Sequence, residues 1–186
     1  MPPEATRTMQ SEMFGRQVRF DYSEHWVGWS ILALRIVMGW TLLWAGIDKL
    51  RDGLDGLQPK WTADGFLTFA VHADNPFKDM FADMAGATTD FLVVWGLTLT
   101  GLCLVLGFVT RFAAFWGAVI MLMFWLAAWQ GWFKLEHGWV VDEHIVYAVL
   151  LFGLGAFGAG RVFGLDVRIE RMAFVVKNQW LKWFLA

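Results

Sequence analysis

One stretch decides the fold, Phe91–Phe133, which reads FLVVWGLTLTGLCLVLGFVTRFAAFWGAVIMLMFWLAAWQGWF and has a single charged residue, Arg111. An α-helix rises about 1.5 Å per residue, so about 20 apolar residues cross the ~30 Å hydrocarbon core of a bilayer. The stretch is long enough for two such crossings. We therefore predict two antiparallel membrane spans that are joined by a very short turn at Thr110–Arg111.

Two further apolar runs flank this pair. Val27–Ile47 carries Arg35 alone, and Ile145–Gly160 carries no charge. The first run reaches spanning length. The second reaches it only if it continues past Arg161, whose side chain would then snorkel to the membrane surface. The sequence thus predicts an all-α fold, an integral membrane four-helix bundle with spans at residues 26–49, 90–110, 112–133 and 144–163.

Composition agrees with a membrane protein, because 58% of the 186 residues are hydrophobic, a larger share than soluble domains have. The spans leave no room for a second soluble domain of ordinary size. We divide the chain into a polar tail at 1–25, a membrane domain at 26–166 and a C-terminal segment at 167–186. The tail is expected to be mobile up to about Ser23 and does not resemble a cleaved signal peptide.

Charge segregation predicts the orientation of the bundle. The two terminal segments, the turn and the end of the fourth run hold nine of the cations: Arg7, Arg16, Arg19, Arg111, Arg161, Arg168, Arg171, Lys177 and Lys182. The opposite side has five cations and eleven acids. Because Lys and Arg stay preferentially in the cytoplasm, we predict a multi-pass protein of the cell membrane, with both termini cytoplasmic and the Lys49–Asp90 loop outside.

Two segments outside the spans have helical patterns. In the outer loop, Phe77, Met80, Phe81 and Met84 share one helix face, after Asn75 as a cap. With a helical turn in Thr62–Ala73, they predict helices on the outer membrane surface. A compact hydrophobic lid over the bundle is the alternative.

Residues 167–186 predict an amphipathic helix. Its apolar stripe is Ile169, Met172, Val176, Trp180 and Trp183. Such a basic, Trp-edged helix suits a cytoplasmic-surface anchor. A docking surface for a partner subunit is the alternative.

Arg35 is the first residue that could carry chemistry. A guanidinium within a span costs at least ~2.5 kcal/mol on insertion scales. It either faces the bundle interior and has a partner there, or snorkels to the cytoplasmic head groups, assisted by Asp166. Asp48 lies roughly 20 Å along the helix axis from Arg35 and cannot be its partner.

Glu143, His144 and Tyr147 form a second candidate group, at the outer mouth of the fourth span. Their spacing brings a carboxylate, an imidazole and a phenol together. Reduction of a quinone takes up two protons, which groups that titrate near neutral pH can supply at a membrane interface. The alternative is that Asp142 and Glu143 only cap the helix N-terminus.

Haem, metal and disulfide chemistry are not predicted. None of the four histidines (His25, His72, His137 and His144) lies at mid-membrane depth, as a bis-histidine haem would require. The one cysteine, Cys103, excludes a disulfide or a cysteine-ligated metal site within one chain. We also expect no nucleic-acid partner. Small residues such as Gly155 and Ala159, or Ala113 and Gly117, predict close helix packing.

Two segments carry a family resemblance. The first is LRIVMGWTLLWAGIDKL, with Arg35, Gly39, Gly46 and Lys49; the second is HIVYAVLLFGLGAFGAGRVFGLD, with Gly158, Gly160, Arg161, Gly164, Leu165 and Asp166. With the four-span layout, the chain resembles the DoxX/DoxD superfamily. It is most similar to the DoxD-type small subunit of prokaryotic thiosulfate:quinone oxidoreductase.

The resemblance implies a membrane subunit that works with a second membrane-associated subunit or a larger respiratory complex. That family oxidises thiosulfate to tetrathionate and passes electrons to quinone, the expected cofactor. We accordingly choose Arg35, Glu143 and His144 as candidate catalytic residues, and Lys49, Tyr147, Arg161 and Asp166 as candidate quinone-binding residues. The alternative function is a non-catalytic scaffold or accessory subunit of a respiratory complex. A homo-oligomer is compatible with either function. A transporter is disfavoured, because the chain has no internal repeat.

Overall fold

The computed structural model describes residues 6–136 and 138–185, so predictions that fall on residues 1–5, His137 and Ala186 lie outside the described structure. The chain is mostly helical, as predicted. In chain order the elements are β1 (Thr6–Met13), β2 (Arg16–Ser23), α1 (Glu24–Leu50), β3 (Leu54–Asp55), β4 (Gln58–Pro59), a π-helical turn (Phe66–Ala70), α2 (Lys78–Asp83), α3 (Ala87–Leu106), α4 (Thr110–Ala127), β5 (Lys134–Leu135), β6 (Gly138–Trp139), α5 (Glu143–Ala156), a 3₁₀ turn (Ala159–Arg161), α6 (Asp166–Ile169), α7 (Ala173–Lys177) and a last 3₁₀ turn (Gln179–Trp183).

Three helices, α1, α3 and α4, are long and apolar enough to cross a membrane. Together with α5 they form an antiparallel bundle. We call its two ends the loop end, where α1 and α4 finish, and the turn end, where α3 and α5 finish. The bundle core lies between the four helices and includes Met38, Leu42, Leu97, Leu104, Met121, Leu151 and Leu154.

Helix α5 is shorter than the predicted span. Its 14 residues rise about 21 Å, less than the ~30 Å hydrocarbon core. The helix ends at Ala156 because Gly158 takes a left-handed conformation, with φ at 63°, and turns the chain into a 3₁₀ turn. The predicted helix over 144–163 is therefore interrupted. The Arg161 side chain, which the sequence predicted to snorkel, pairs with Glu170 at 2.7 Å.

The turn between α3 and α4 lies at 107–109. The prediction of a turn at Thr110–Arg111 is wrong by a few residues, because these two residues begin α4. Gly107 and Val109 both have positive φ, at 63° and 47°, and reverse the chain within three residues.

Both terminal segments differ from their predictions. Residues 6–23 form the β1–β2 hairpin, where the sequence predicted a mobile tail. The single helix predicted over 167–186 is broken into α6, α7 and a 3₁₀ turn. The breaks fall at Met172, where the backbone is extended, and at Asn178, where φ and ψ are −116° and 75°.

The segment between α1 and α3 covers the loop end as a compact lid. Its side chains Ala63, Leu67, Val71 and Phe81 form a second buried cluster with Ala127 of α4. Asn75 Nδ2 donates to the carbonyl oxygen of Leu126 at 2.9 Å and thereby binds the last turn of α4. The lid helix α2 begins after Asn75, but the prediction that Asn75 caps it is wrong, because Phe77 holds the N-cap position without a side-chain hydrogen bond. Asn75 Oδ1 instead accepts from the Phe77 N–H at 2.8 Å, in the turn before the helix.

Helices α1 and α3 approach each other through glycines. A Cβ added at Gly46 would lie 2.6 Å from the Thr98 backbone nitrogen, and one added at Gly101 would lie 2.6 Å from Leu43 Cα. A side chain therefore fits at neither position unless the two helices move apart. Small residues therefore set this helix spacing, as they do between α4 and α5, where a Cβ at Gly155 would meet Ala114 at 3.4 Å.

We predict that Gly46→Ala destabilises the chain by about 1–3 kcal/mol, the usual cost of forcing extra volume into a packed interface. The measurement is equilibrium unfolding in mixed micelles, followed by far-UV circular dichroism. Gly28→Ala, in the same helix but with open space around it, is the matched control and should be neutral or stabilising by up to about 1 kcal/mol. Equal stabilities of the two variants would contradict the close approach of α1 and α3.

Candidate functional site

A cavity of about 500 Å³ lies at the loop end, between the lid and the ends of the bundle helices. We call it the loop-end cavity. Its size falls within the range of small-molecule sites. Most of its wall is apolar and includes Trp61, Phe66, Leu67, Phe81, Met123 and Phe124. Polar side chains lie on the wall as well, among them Lys49, His72, Gln130, Glu136, Glu143 and His144.

Lys49 brings a positive charge to this cavity from the last turn of α1. Its ammonium lies 5.1 Å from the centre of the Trp61 ring and 3.4 Å from the carbonyl oxygen of Ala45. Lys49 takes part in none of the ion pairs found in residues 6–136 and 138–185. A half-buried ammonium held by a ring face and one carbonyl keeps donor capacity for a ligand.

His144 also lies on the cavity wall, in the first turn of α5. Asp142 caps this helix, since one carboxylate oxygen accepts from the N–H groups of His144 and Ile145 at 3.0 and 3.2 Å. Its other oxygen lies 2.8 Å from His144 Nδ1. The ring also packs edge-on against Phe124, with centroids 5.8 Å apart. Because Nδ1 is engaged by the carboxylate, Nε2 is the ring nitrogen left for a ligand.

Glu143 and Tyr147 differ in burial and in their contact with the cavity. Glu143 is exposed and lies on the cavity wall. Tyr147, one helical turn deeper, is half-buried and packs against the bundle core. Asp142 provides the helix cap that the sequence assigned jointly to Asp142 and Glu143.

The carboxylates and the imidazole at the start of α5 are a poor metal site. Ligand atoms of Asp142, Glu143 and His144 lie within 4.8 Å of one another. Both oxygens of Asp142, however, are already bound to backbone N–H groups and to the imidazole. Only two free ligands would remain, fewer than the three that protein zinc sites supply.

At the turn end, Arg35 is 1% exposed and faces the bundle interior. This decides between the two placements that the sequence left open for it. Its Nη1 donates to the carbonyl oxygen of Ala159 at 2.8 Å. The same nitrogen would lie 2.5 and 2.7 Å from a Cβ added at Gly107 and Gly164, so the guanidinium occupies the space that these glycines leave.

Asp166 is fully buried beside this arginine. Its carboxylate accepts from the N–H groups of Val109 and Thr110 at 2.7 and 3.0 Å, and caps α4 from a distant part of the chain. Its own N–H donates to the Gly107 carbonyl oxygen at 2.9 Å. The negative charge of Asp166 also acts on Arg35. We call this group the turn-end clasp; it joins α1, the α3–α4 turn and the segment after α5.

The structure thus brings together three of the seven sequence-predicted residues, Lys49, Glu143 and His144. Arg35 and Asp166 lie in the clasp at the other end of the bundle, and Arg161 pairs with Glu170 nearby. Sequence reasoning missed Asp142 as the partner of His144, although their spacing within one capped first turn was a usable signal. It also missed Trp61 and Gln130, which reach the cavity from loops. Residues in loops show no periodic pattern in the sequence that would indicate such contacts.

Comparison with known proteins gives one result. The family model DoxX matches residues 30–130, which is more than half of the chain.

The chain belongs to the DoxX family. The match covers α1 with Arg35 and Lys49, the lid, α3 and α4. It ends before α5, so His144 and Asp166 lie beyond it. No curated protein and no solved structure matches the chain. DoxX membership and three apolar helices of spanning length together identify a membrane protein.

For this DoxX chain we predict that Asp166→Ala lowers the free energy of unfolding by about 3–5 kcal/mol, because it removes the buried carboxylate that binds two backbone N–H groups at the start of α4 and the negative charge that acts on Arg35. The measurement is equilibrium unfolding in mixed micelles. Glu170→Ala, which breaks the more exposed ion pair with Arg161, is the matched control and should cost at most about 1 kcal/mol.

A double-mutant cycle that combines Asp166→Ala with Arg35→Met should give a coupling of about 1–3 kcal/mol. Additive losses would show that the two charges act independently and that the clasp is not a unit.

Proposed function

We propose that the DoxX chain is a four-span quinone-binding subunit, similar to the DoxD subunit of thiosulfate:quinone oxidoreductase, and that the loop-end cavity receives the quinone head group. In this proposal α5 and the 3₁₀ turn after it together complete the fourth crossing. The cation-rich turn end faces the cytoplasm with both termini, and the cavity opens toward the outer surface.

The observation that carries the proposal is the composition of the cavity wall. Aromatic and aliphatic side chains can surround a flat apolar ring, while Lys49 and His144 offer polar groups on the same cavity wall. This combination of a mostly apolar wall and a few placed polar groups is typical of cofactor sites. A quinone fits it, because its ring is apolar and its two carbonyl oxygens accept hydrogen bonds.

The proposal gives a part to four polar residues of the cavity wall, Lys49, Asp142, Glu143 and His144. Bound quinone would accept two electrons and two protons. Lys49 donates a hydrogen bond from its ammonium and attracts negative charge. His144 offers its Nε2 to the cavity, and Asp142 fixes the orientation of the ring through Nδ1. Glu143, exposed at the rim, connects the imidazole to water.

The electrons come from two thiosulfate ions, which join as one tetrathionate, and we place that oxidation on a partner chain. Thiosulfate is a dianion, and the loop end carries eleven acids against Lys49, Arg51, Lys60, Lys78 and Lys134. This surplus of negative charge repels a dianion but not a neutral quinone. The second subunit is therefore required for turnover.

A scaffold role is the second candidate, and exposed aromatic side chains of the loop end favour it. Phe69, Trp132 and Trp139 are 83%, 69% and 74% exposed. None of the three lies on a helix of spanning length, so contact with the lipid around such a helix does not explain their exposure. Large aromatic side chains of this kind are enriched in protein interfaces. They give a partner subunit a surface to dock on, whether or not the cavity takes part in electron transfer.

We predict that Lys49→Gln and His144→Ala each weaken binding of a short-chain quinone by about tenfold or more, because each removes a hydrogen-bonding group from the cavity wall. Binding is measured by isothermal titration of the purified chain in lipid nanodiscs. Lys60→Gln and His25→Ala are matched controls, since both side chains are exposed and outside the cavity wall; they should bind as the wild type does.

Wild-type affinity in both cavity variants would eliminate this quinone site and leave the scaffold role. A loss confined to the cavity variants would support the quinone-binding role.

A further inference from the structure

The β1–β2 hairpin has two chemically different faces. Its strands pair in antiparallel register from Thr6 opposite Ser23 to Met13 opposite Arg16. Opposite residues of a hairpin share a face, and successive pairs alternate between faces. One face therefore holds Arg7, Met9, Ser11, Met13, Arg16, Val18, Phe20 and Tyr22; the other holds Thr6, Thr8, Gln10, Glu12, Gln17, Arg19, Asp21 and Ser23.

The charges divide between these faces. The first, which we call the apolar face, carries the two cations Arg7 and Arg16 and no acid. Both acids of the strands, Glu12 and Asp21, lie on the polar face. The sequence thus combines hydrophobic side chains with positive charge alone on one side, and keeps negative charge on the other.

The apolar face is open. Met9, Met13 and Phe20 are each about half exposed, at 45%, 52% and 52%, and Phe14 at the tip is 101% exposed. An isolated two-stranded hairpin is marginally stable in water. A face of this composition needs a covering surface to hold the hairpin in place.

The hairpin begins at the level of the membrane surface. Ser23 ends β2 and also caps α1, where its hydroxyl accepts from the Trp26 N–H at 3.5 Å. Arg7 forms an ion pair with Glu24 in the first helical turn. Trp26 and Trp29 are exposed on that part of α1, where tryptophans mark head-group depth in membrane proteins. Strands of eight residues extend about 27 Å from this level.

We propose that the hairpin lies flat on the bilayer at the turn end and binds anionic phospholipids through its apolar face and its tip. Phe14, Met9 and Phe20 enter the head-group region, and Arg16 pairs with lipid phosphate. The unpaired backbone groups along both strand edges keep the hairpin at this depth, because they require water and cannot enter hydrocarbon. This surface is separate from the loop-end cavity and from quinone binding.

The charge distribution favours lipid over a protein partner. Arg16, the cation of the apolar face that lies outside the Arg7–Glu24 ion pair, matches the negative surface of a phospholipid leaflet. The same end of the bundle carries Arg168, Arg171, Lys177 and Lys182, so both terminal segments add cations at this end. The attachment of β2 to a spanning helix keeps the hairpin close to the membrane surface there.

The test places a fluorescent probe on each face in turn. In a Cys103→Ala background, Met9→Cys and Gln10→Cys put an environment-sensitive label on neighbouring positions of opposite faces. The full chain is reconstituted in vesicles of phosphatidylcholine with or without phosphatidylglycerol, and quenching by aqueous iodide is measured. We expect the label on the apolar face to be protected and blue-shifted, more strongly with phosphatidylglycerol. The label on the polar face should stay accessible.

Two charge variants provide the matched comparison. Arg16→Gln removes a cation from the apolar face, and Arg19→Gln removes one from the polar face. For the label on the apolar face, Arg16→Gln should lower the ratio of protected to accessible probe by about fivefold, as expected for the loss of one basic residue at an anionic surface. Arg19→Gln should lower this ratio by clearly less. Equal iodide access on both faces, equal effects of the two variants, or protection that rises with protein density instead of phosphatidylglycerol would overturn the proposal.

Discussion

Burial of two opposite charges, Arg35 and Asp166, is the constraint on which the turn end of the bundle depends. Removing such ions from water costs several kcal/mol each unless their hydrogen bonds are replaced. Arg35 binds the Ala159 carbonyl, and Asp166 binds the N–H groups of Val109 and Thr110. Arg35 Nε still has no hydrogen-bond partner among the described residues. The clasp therefore persists only while α1, the α3–α4 turn and the segment after α5 stay together.

A fixed turn end leaves the loop end as the place where the protein can accommodate a ligand. At the turn end the chain reverses within three residues between α3 and α4. The Arg35 guanidinium occupies the space beside Gly107 and Gly164. At the loop end the connection from α1 to α3 is long and built from short elements. It borders the loop-end cavity, and Lys49 and His144 lie on the wall of that cavity. Under the proposed function the two ends divide structural and binding roles, and the residues first chosen as one site lie at both ends.

Much of the bundle could be predicted from apolar run length, because lipid forces backbone groups into helices. The sequence could not show that Gly158 interrupts the last helix, since glycines in membrane helices often serve packing alone. The placements of Arg35 and Asp166 depend on contacts between residues far apart in the chain: Arg35 binds Ala159, 124 positions away, and Asp166 binds Val109 and Thr110, 57 and 56 positions away. Of the candidate site, Lys49, Glu143 and His144 were found because two helix ends carry them. Trp61 and Gln130 were missed because loop contacts follow no periodicity.

Residue-resolved hydrogen exchange of the full chain in lipid nanodiscs tests the locked turn end most directly. The amides of Val109 and Thr110 are held by the buried carboxylate of Asp166. We predict that they exchange at least about 100-fold more slowly than the amides of the lid between β4 and α3, which open locally without disturbing the bundle. Exchange at Val109 and Thr110 as fast as in the lid would contradict a turn end held by buried charge.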